Sequence, residues 1–158
     1  YPLPEAQLDR FMMKLSMGLP SASEELDIIN RYIYNNPIDE ISSVCSLDTL
    51  LDMQKTYQQV YVADCIRQYI VDIVIATRNS EQIVYGINSR GTLAILKAAK
   101  AYAAISGRDY VIPDDIKTLA PYIFSHRIIT YKKFTLIENQ SIINEIIDGI
   151  TVPTEDWE

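Results

Sequence analysis

Apolar side chains recur at the 3.6-residue spacing of an α-helix along most of the chain, with polar residues between them. The strongest run covers residues 62–78, where Ile66, Ile70 and Ile73 fall on one face. Polar caps mark where helices begin, and Ser21 with a glutamate three residues later has the spacing of a capping box. From these signals, helices are predicted near residues 22–35, 46–57, 62–78, 89–106 and 113–124.

Several other segments give weaker or mixed signals. A first helix is predicted over Pro4–Lys14, and the alternation of apolar and polar residues over 13–17 allows a short strand after it. Pro121 lies within a helical pattern and should kink or end that helix. Residues 130–137 alternate weakly, which leaves strand and loop open. Isoleucines over 142–147 predict one last short helix.

The helix predicted over residues 89–106 is rich in alanine between Ala94 and Ala104. Small side chains let helices approach closely, so this helix should lie at the centre of a bundle. Only five glycines occur in the chain, which argues against a turn-rich β fold. The predicted fold class is therefore all-α, a compact helical bundle with a short leading segment.

Composition and charge narrow the class of protein. The 158 residues suit roughly one domain, and 48% hydrophobic against 22% charged residues excludes intrinsic disorder. A net charge of −7 offers no basic surface for phosphates, so no nucleic-acid partner is expected. No apolar run approaches the length of a membrane span, and no charged-then-apolar leader opens the chain. We therefore expect a cytoplasmic protein without a membrane span.

Side chains for metal binding or nucleophilic catalysis are scarce. One histidine and two cysteines cannot supply a zinc site, so no metal is expected. Cys45 and Cys65 are interpreted as reduced core thiols, and His126 as a capping or packed histidine. Acidic pairs such as Asp114 and Asp115 lie at helix starts, where they suit the helix dipole. Neither G-x-x-x-x-G-K-[ST] nor G-x-G-x-x-G occurs, so the chain alone cannot cradle a triphosphate in those ways.

Arginines in unusual local contexts are the remaining candidates for chemistry. Arg90 is the most suggestive, because backbone amides and a guanidinium at a helix start can point at the same anion. A solvated surface charge remains the simpler interpretation for any single arginine. The candidates are Arg10, Arg78, Arg90, Arg108 and Arg127.

Several strings resemble MoxR-type AAA+ ATPases and occur in the order of that family. Residues Tyr1–Phe11, YPLPEAQLDRF, are similar to the arginine-finger segment. Residues Gly86–Thr92, GINSRGT, resemble the sensor 2 motif, with Ser89 where the family often has proline. Residues Gly107–Ile116 and 126–127 resemble the family's closing motifs.

The resemblance implies a division of the chain and two site residues. Residues 1–20 would be the C-terminal end of the AAA+ core, its last helix and strand. Arg10 there would be the arginine finger, acting in trans on the ATP of a neighbouring subunit. Residues 21–158 would form the helical lid domain, with Arg90 as the sensor 2 arginine that contacts phosphate in cis. Residues 128–140 follow no recognised pattern.

The resemblance also implies the function of a longer parent protein. That protein would bind ATP and Mg²⁺ and hydrolyse ATP as a homo-oligomeric ring, with a hexamer expected. It would remodel complexes of client proteins in the manner of a chaperone. The present segment lacks Walker A and Walker B motifs, so alone it is expected to be inactive and to bind no cofactor tightly.

A second class of function stays open beside the ATPase. The chain could be an autonomous helical protein-interaction module with no nucleotide role, since tyrosine is enriched at interfaces and the chain has eleven. Tyrosines such as Tyr32 and Tyr69 fall on apolar helix faces, however, where core packing explains them better.

Overall fold

The computed structural model describes residues 3–132 and 134–154. Tyr1 and Pro2 of the finger-like string, Lys133 of the unassigned region and the tail 155–158 of the expected lid lie outside the described residues. No helix in the described part is both long and apolar enough to cross a membrane. The elements are α1 (Glu5–Leu8), α2 (Ala22–Tyr32), α3 (Leu47–Thr56), α4 (Asp64–Asn79), β1 (Ile83–Tyr85), α5 (Ser89–Ile105), α6 (Pro113–Phe124), β2 (Ile129–Thr130) and α7 (Leu136–Asp148), with short 3₁₀ helices at Pro37–Glu40 and Tyr57–Gln59.

The helices predicted from period and caps are confirmed, and local capping explains their starts. At α2 the Glu24 amide donates to Ser21 Oγ at 3.4 Å, and the Ser21 amide donates to the Glu24 carboxylate at 2.7 Å. The hydrogen bond from the Ser21 backbone lowers the pKa of Glu24. Thr135 and Glu138 form the same reciprocal pair at α7, which is why that helix begins before its isoleucine pattern.

Two predictions about local structure are wrong. Only Glu5–Leu8 of the predicted helix over Pro4–Lys14 is helical, and residues 13–17 form no strand. The carbonyls of Phe11 and Met12 accept hydrogen bonds from a distant side chain instead of continuing a helix. A strand needs a neighbour to pair its backbone, and the described residues offer none here.

Pro121 does not end its helix at once, because α6 continues to Phe124. The proline lies in the last turns of the helix, where few backbone bonds are lost by its missing N–H. The open question over residues 130–137 is answered in part by β2, which pairs antiparallel with β1. Within that pair, Ile83 lies opposite Thr130 and Tyr85 opposite Ile129.

The core lies among α4, α5, α6 and α7, within one compact unit that takes in the described residues of 1–14 and 55–158. The central position predicted for the alanine-rich helix is confirmed, since Ala99 and Ala103 on α5 are fully buried. Tyr69 is also buried, as its apolar face predicts. These four helices therefore form the scaffold on which the candidate site is built.

Residues 15–54 form a separate compact unit that contains α2 and most of α3. None of its residues is buried, so the packing expected for Tyr32 and the core position expected for Cys45 are both wrong. Tyr32 is 55% exposed. The apolar pattern correctly predicts a helix here, but two short helices cannot enclose a core of their own. The division of the chain at residue 20 remains a prediction from the family resemblance.

Candidate functional site

Arg10 and Arg90, the two arginines singled out by the resemblance, line one cavity of about 400 Å³. Arg10 lies in the turn after α1, and Arg90 is the second residue of α5. Lys97, seven residues further along the same helix, and Arg127 line the cavity as well. Because the side chains of Arg10 and Arg90 are both exposed, the cavity presents positive charge to solvent. Such a site favours an anion.

The start of α5 fixes the position of Arg90. Asn88 has an extended backbone and caps the helix, and the Gly91 amide donates to Asn88 Oδ1 at 3.1 Å. The helix therefore begins at Ser89, and its positive dipole end lies beside the guanidinium. Serine at the position where proline is frequent in the family does not disturb this start.

Asp9 joins the residues of the site, and the sequence analysis gave it no role. Its Oδ2 accepts a hydrogen bond from Arg90 Nη1 at 2.9 Å, and its Oδ1 accepts one from Asn88 Nδ2 at 3.1 Å. Arg127 Nε lies 3.4 Å from Oδ1 and forms an ion pair with it. The carboxylate beside Arg10 therefore connects the turn after α1 to the start of α5.

Arg127 is the second functional candidate that the sequence analysis left without a role. Its side chain is only 1% exposed, and it donates to the carbonyls of Phe11 and Met12 at 2.5 and 3.0 Å. It also donates to the carbonyl of Ile123. Burial lowers the pKa of this guanidinium and the charge of Asp9 opposes that change, but an arginine remains protonated in either case.

His126 packs against the same turn, in agreement with its interpretation as a packed histidine. Its Nε2 lies 3.1 Å from the Phe11 carbonyl oxygen. Burial lowers the pKa of His126, the hydrogen bond to Phe11 opposes that change, and the charges of Arg127 and Lys14 add to it. The ring is therefore neutral at pH 7.

The lowered pKa of His126 predicts a loss of stability in mild acid. The unfolded chain takes up a proton near the ordinary histidine pKa of about 6.5, while the folded chain resists it to lower pH. The free energy of unfolding should therefore fall as the pH drops through that window. Denaturant unfolding at about pH 7.5 and about pH 5.5 measures this change, and His126→Gln should show a smaller one. Because His126 is the chain's single histidine, equal losses in both proteins would contradict the prediction.

The other two candidate arginines have structural roles. Arg78 Nε donates to the Ile87 carbonyl at 2.8 Å and fixes the loop before α5. Arg108 binds both carboxylate oxygens of Asp115, at 2.9 and 2.6 Å. Asp115 also accepts a bond from the Ile112 amide at 3.0 Å, so it caps α6 as its place at the helix start predicts. Neither arginine lines the cavity that holds Arg10 and Arg90.

Comparisons with known proteins agree with the fold. Residues 75–146 match the model of the AAA lid domain. The uncharacterized protein YeaC of Bacillus subtilis is 43% identical over 157 residues, which cover 98% of this chain and 49% of that protein. Chaperone MoxR1 of Mycobacterium tuberculosis is 35% identical over 164 residues, covering 97% of this chain and 43% of that protein.

A solved structure shows the same architecture. The crystal structure of a proposed ATPase from Cytophaga hutchinsonii superposes with a TM-score of 0.85 at 31% identity, covering 98% of this chain and 50% of that one. The chain thus spans about half the length of the curated relatives it matches. The lid-domain match, the MoxR relative and this ATPase structure together show that the chain belongs to the MoxR-type AAA+ ATPases, as a segment that contains the lid domain.

Proposed function

We propose that this chain supplies Arg10, as arginine finger, and Arg90, as sensor 2 arginine, to the phosphates of ATP in a ring-forming ATPase. One observation carries the proposal. The two residues, 80 positions apart, line one cavity and are connected through Asp9, which bonds to Arg90 and directly precedes Arg10. Arginines that were only solvated surface charges would not be expected to lie together at one helix start.

The side chains of the cavity suit a phosphate. Arg10, Arg90 and Lys97 all carry positive charge, and a guanidinium fork matches phosphate oxygens two at a time. ATP with its Mg²⁺ would provide the reacting γ-phosphate, and arginines next to it stabilise the charge that develops during transfer. Binding of the nucleotide's remaining parts is assigned to a core of the parent protein outside this chain.

The shared cavity bears on which subunit each arginine serves. The family resemblance leads to an expectation that Arg10 acts in trans and Arg90 in cis. Since both line one cavity, we favour a single ATP for both, so that Arg90 reaches the neighbouring subunit's nucleotide together with Arg10.

The wider role follows the relatives. One relative is named a chaperone, which supports ATP-driven remodelling of client protein complexes by a ring, with a hexamer expected. A cytoplasmic site of action remains part of this proposal.

Replacing Arg90 tests the nucleotide role. In the full-length parent, Arg90→Ala should lower kcat for ATP hydrolysis by at least about 10²-fold, the lower range for loss of a charge donor to the transition state. Arg67→Ala is the matched control, because Arg67 is exposed on α4 and pairs with Asp64. Its rate should be unchanged. Normal hydrolysis by Arg90→Ala would instead favour the interaction module with no nucleotide role.

A further inference from the structure

We propose that Arg127 is a positioning residue for Arg10. It fixes the backbone of the finger segment, residues 9–12, against the end of α6, and so sets where the Arg10 side chain begins. The inference rests on the proposed function, in which Arg10 reaches the phosphates of ATP.

The contacts of Arg127 lie on both sides of Arg10. Before Arg10 in the chain, the Asp9 carboxylate pairs with Arg127 Nε at 3.4 Å. After it, the carbonyls of Phe11 and Met12 accept from Nη2 and Nη1 at 2.5 and 3.0 Å. One side chain thus holds the backbone on both sides of Arg10, while the Arg10 side chain itself stays exposed and available.

Burial makes this arrangement rigid. The Arg127 side chain is 1% exposed, so solvent cannot replace a lost partner. A guanidinium has five N–H donors and no acceptor, and a buried cation that loses its acceptors is strongly disfavoured. Displacement of the finger segment would remove the carbonyls of Phe11 and Met12 from that cation. The segment is therefore held where Nη1 and Nη2 keep their carbonyl acceptors and Nε keeps its ion pair with Asp9.

Gly91 in the first turn of α5 leaves space for the Arg127 side chain. A Cβ atom on Gly91 would lie 3.2 Å from Arg127 Cδ and 2.6 Å from Ile87 Cγ2. Only glycine leaves this space for the arginine stem without displacing a neighbour. Arg127 therefore runs past the start of the helix that carries Arg90 to reach the segment that carries Arg10.

Two further bonds attach this segment and the residues just after it to the end of α6. The Lys14 amide donates to the Tyr122 carbonyl at 2.9 Å, and His126 Nε2 lies 3.1 Å from the Phe11 carbonyl. Neither reaches Asp9 or Met12. These bonds should keep the segment docked in an Arg127 variant, so that the variant loses the alignment of Arg10 more than the fold.

A double-mutant cycle in the full-length ATPase tests the inference. Arg127→Met keeps the apolar stem and removes the guanidinium. A misplacement of about 1 Å can cost up to 10²-fold in rate, so we expect kcat to fall by roughly 10- to 100-fold with KM for ATP little changed. In an Arg10→Ala background the same substitution should cost nothing more, because the residue it positions is already gone.

The outcomes separate the two proposals. Equal losses in both backgrounds would show a purely structural role and overturn the inference, as would a normal rate for Arg127→Met beside an impaired Arg10→Ala. A normal rate for Arg10→Ala would overturn the proposed function and the positioning role with it. If Arg127→Met fails to fold, Arg127→Lys takes its place in the cycle, since lysine keeps the positive charge but lacks the planar guanidinium that binds several acceptors at once. The melting temperature is measured for each variant, and Arg127→Lys should then show the loss of kcat only when Arg10 is present.

Discussion

An Arg10→Ala variant of the full-length ATPase is expected to hydrolyse ATP at least about 10²-fold more slowly than the unaltered protein. The Arg10 side chain is exposed at a cavity that also presents Arg90 and Lys97, so its removal leaves the fold intact and takes one cation from the site. The loss should appear in kcat, because a finger stabilises charge that develops only in the transition state. Arg67→Ala, with an exposed arginine removed elsewhere, should retain the normal rate.

Mixing experiments show which subunit Arg10 serves. Arg10→Ala subunits are mixed with subunits whose nucleotide-binding core has been disabled, and each protein alone is inactive. If Arg10 acts in trans, core-disabled subunits donate it to intact cores next to them, and roughly a quarter of the sites in an equal random mixture regain activity. No recovery would mean that Arg10 serves its own subunit.

A second mixture tests whether Arg10 and Arg90 share one ATP. Arg10→Ala subunits are mixed with Arg90→Ala subunits. If both arginines act on the neighbour's nucleotide, each site receives both from one adjacent subunit, and every such subunit lacks one of the two. Activity should then stay low. If Arg90 acted in cis, as the family resemblance alone suggests, interfaces with one complete set would form and activity would return.

The largest loss of stability is expected from breaking the Arg108–Asp115 pair. Asp115→Ala leaves Arg108 without its carboxylate partner in a site where the Asp115 side chain is 2% exposed and that of Arg108 is 22% exposed. Removing one member of a buried pair typically costs about 3–5 kcal/mol, and because Arg108 is partly exposed we expect the lower end of that range. The substitution also removes the acceptor for the Ile112 amide at the start of α6.

Denaturant unfolding of the two neighbouring aspartates measures this difference. Asp114→Ala is the matched control, because Asp114 is exposed and occupies the same helix start. It should lose less than about 1 kcal/mol, the contribution of an acid to the helix dipole. Equal losses at the two positions would show that the ion pair with Arg108 contributes little.

Local signals predicted the helices, because their causes lie within a few residues of each start. Ser21 and Glu24 are three residues apart, so a short stretch of sequence contains both partners of the capping box. The segment after Leu8 was predicted incorrectly for the opposite reason. Its backbone is held in part by Arg127, whose contact with Phe11 spans 116 positions. No local pattern contains that information.

The candidate site could likewise be predicted only in part, because some of its contacts join residues far apart in the sequence. The family resemblance predicted roles for Arg10 and Arg90, and it included Asp9 and Arg127 in its strings without giving them roles. Their roles depend on distances across 81 and 116 positions that only the fold creates. For Tyr32, the pattern correctly indicated an apolar helix face but carried no information on whether anything covers it.

The dependence of residues 9–12 on Arg127 has a consequence for biosynthesis. Arg10 is among the first residues of this segment to leave the ribosome, but the guanidinium that fixes its backbone follows more than a hundred residues later. At translation rates of about 5–20 residues per second, that interval lasts roughly 6–23 s. During this time the proposed arginine finger has no defined position in the nascent chain. In the proposed ring, productive assembly of neighbouring subunits would therefore have to wait until α6 and the three residues after it have been synthesised and folded.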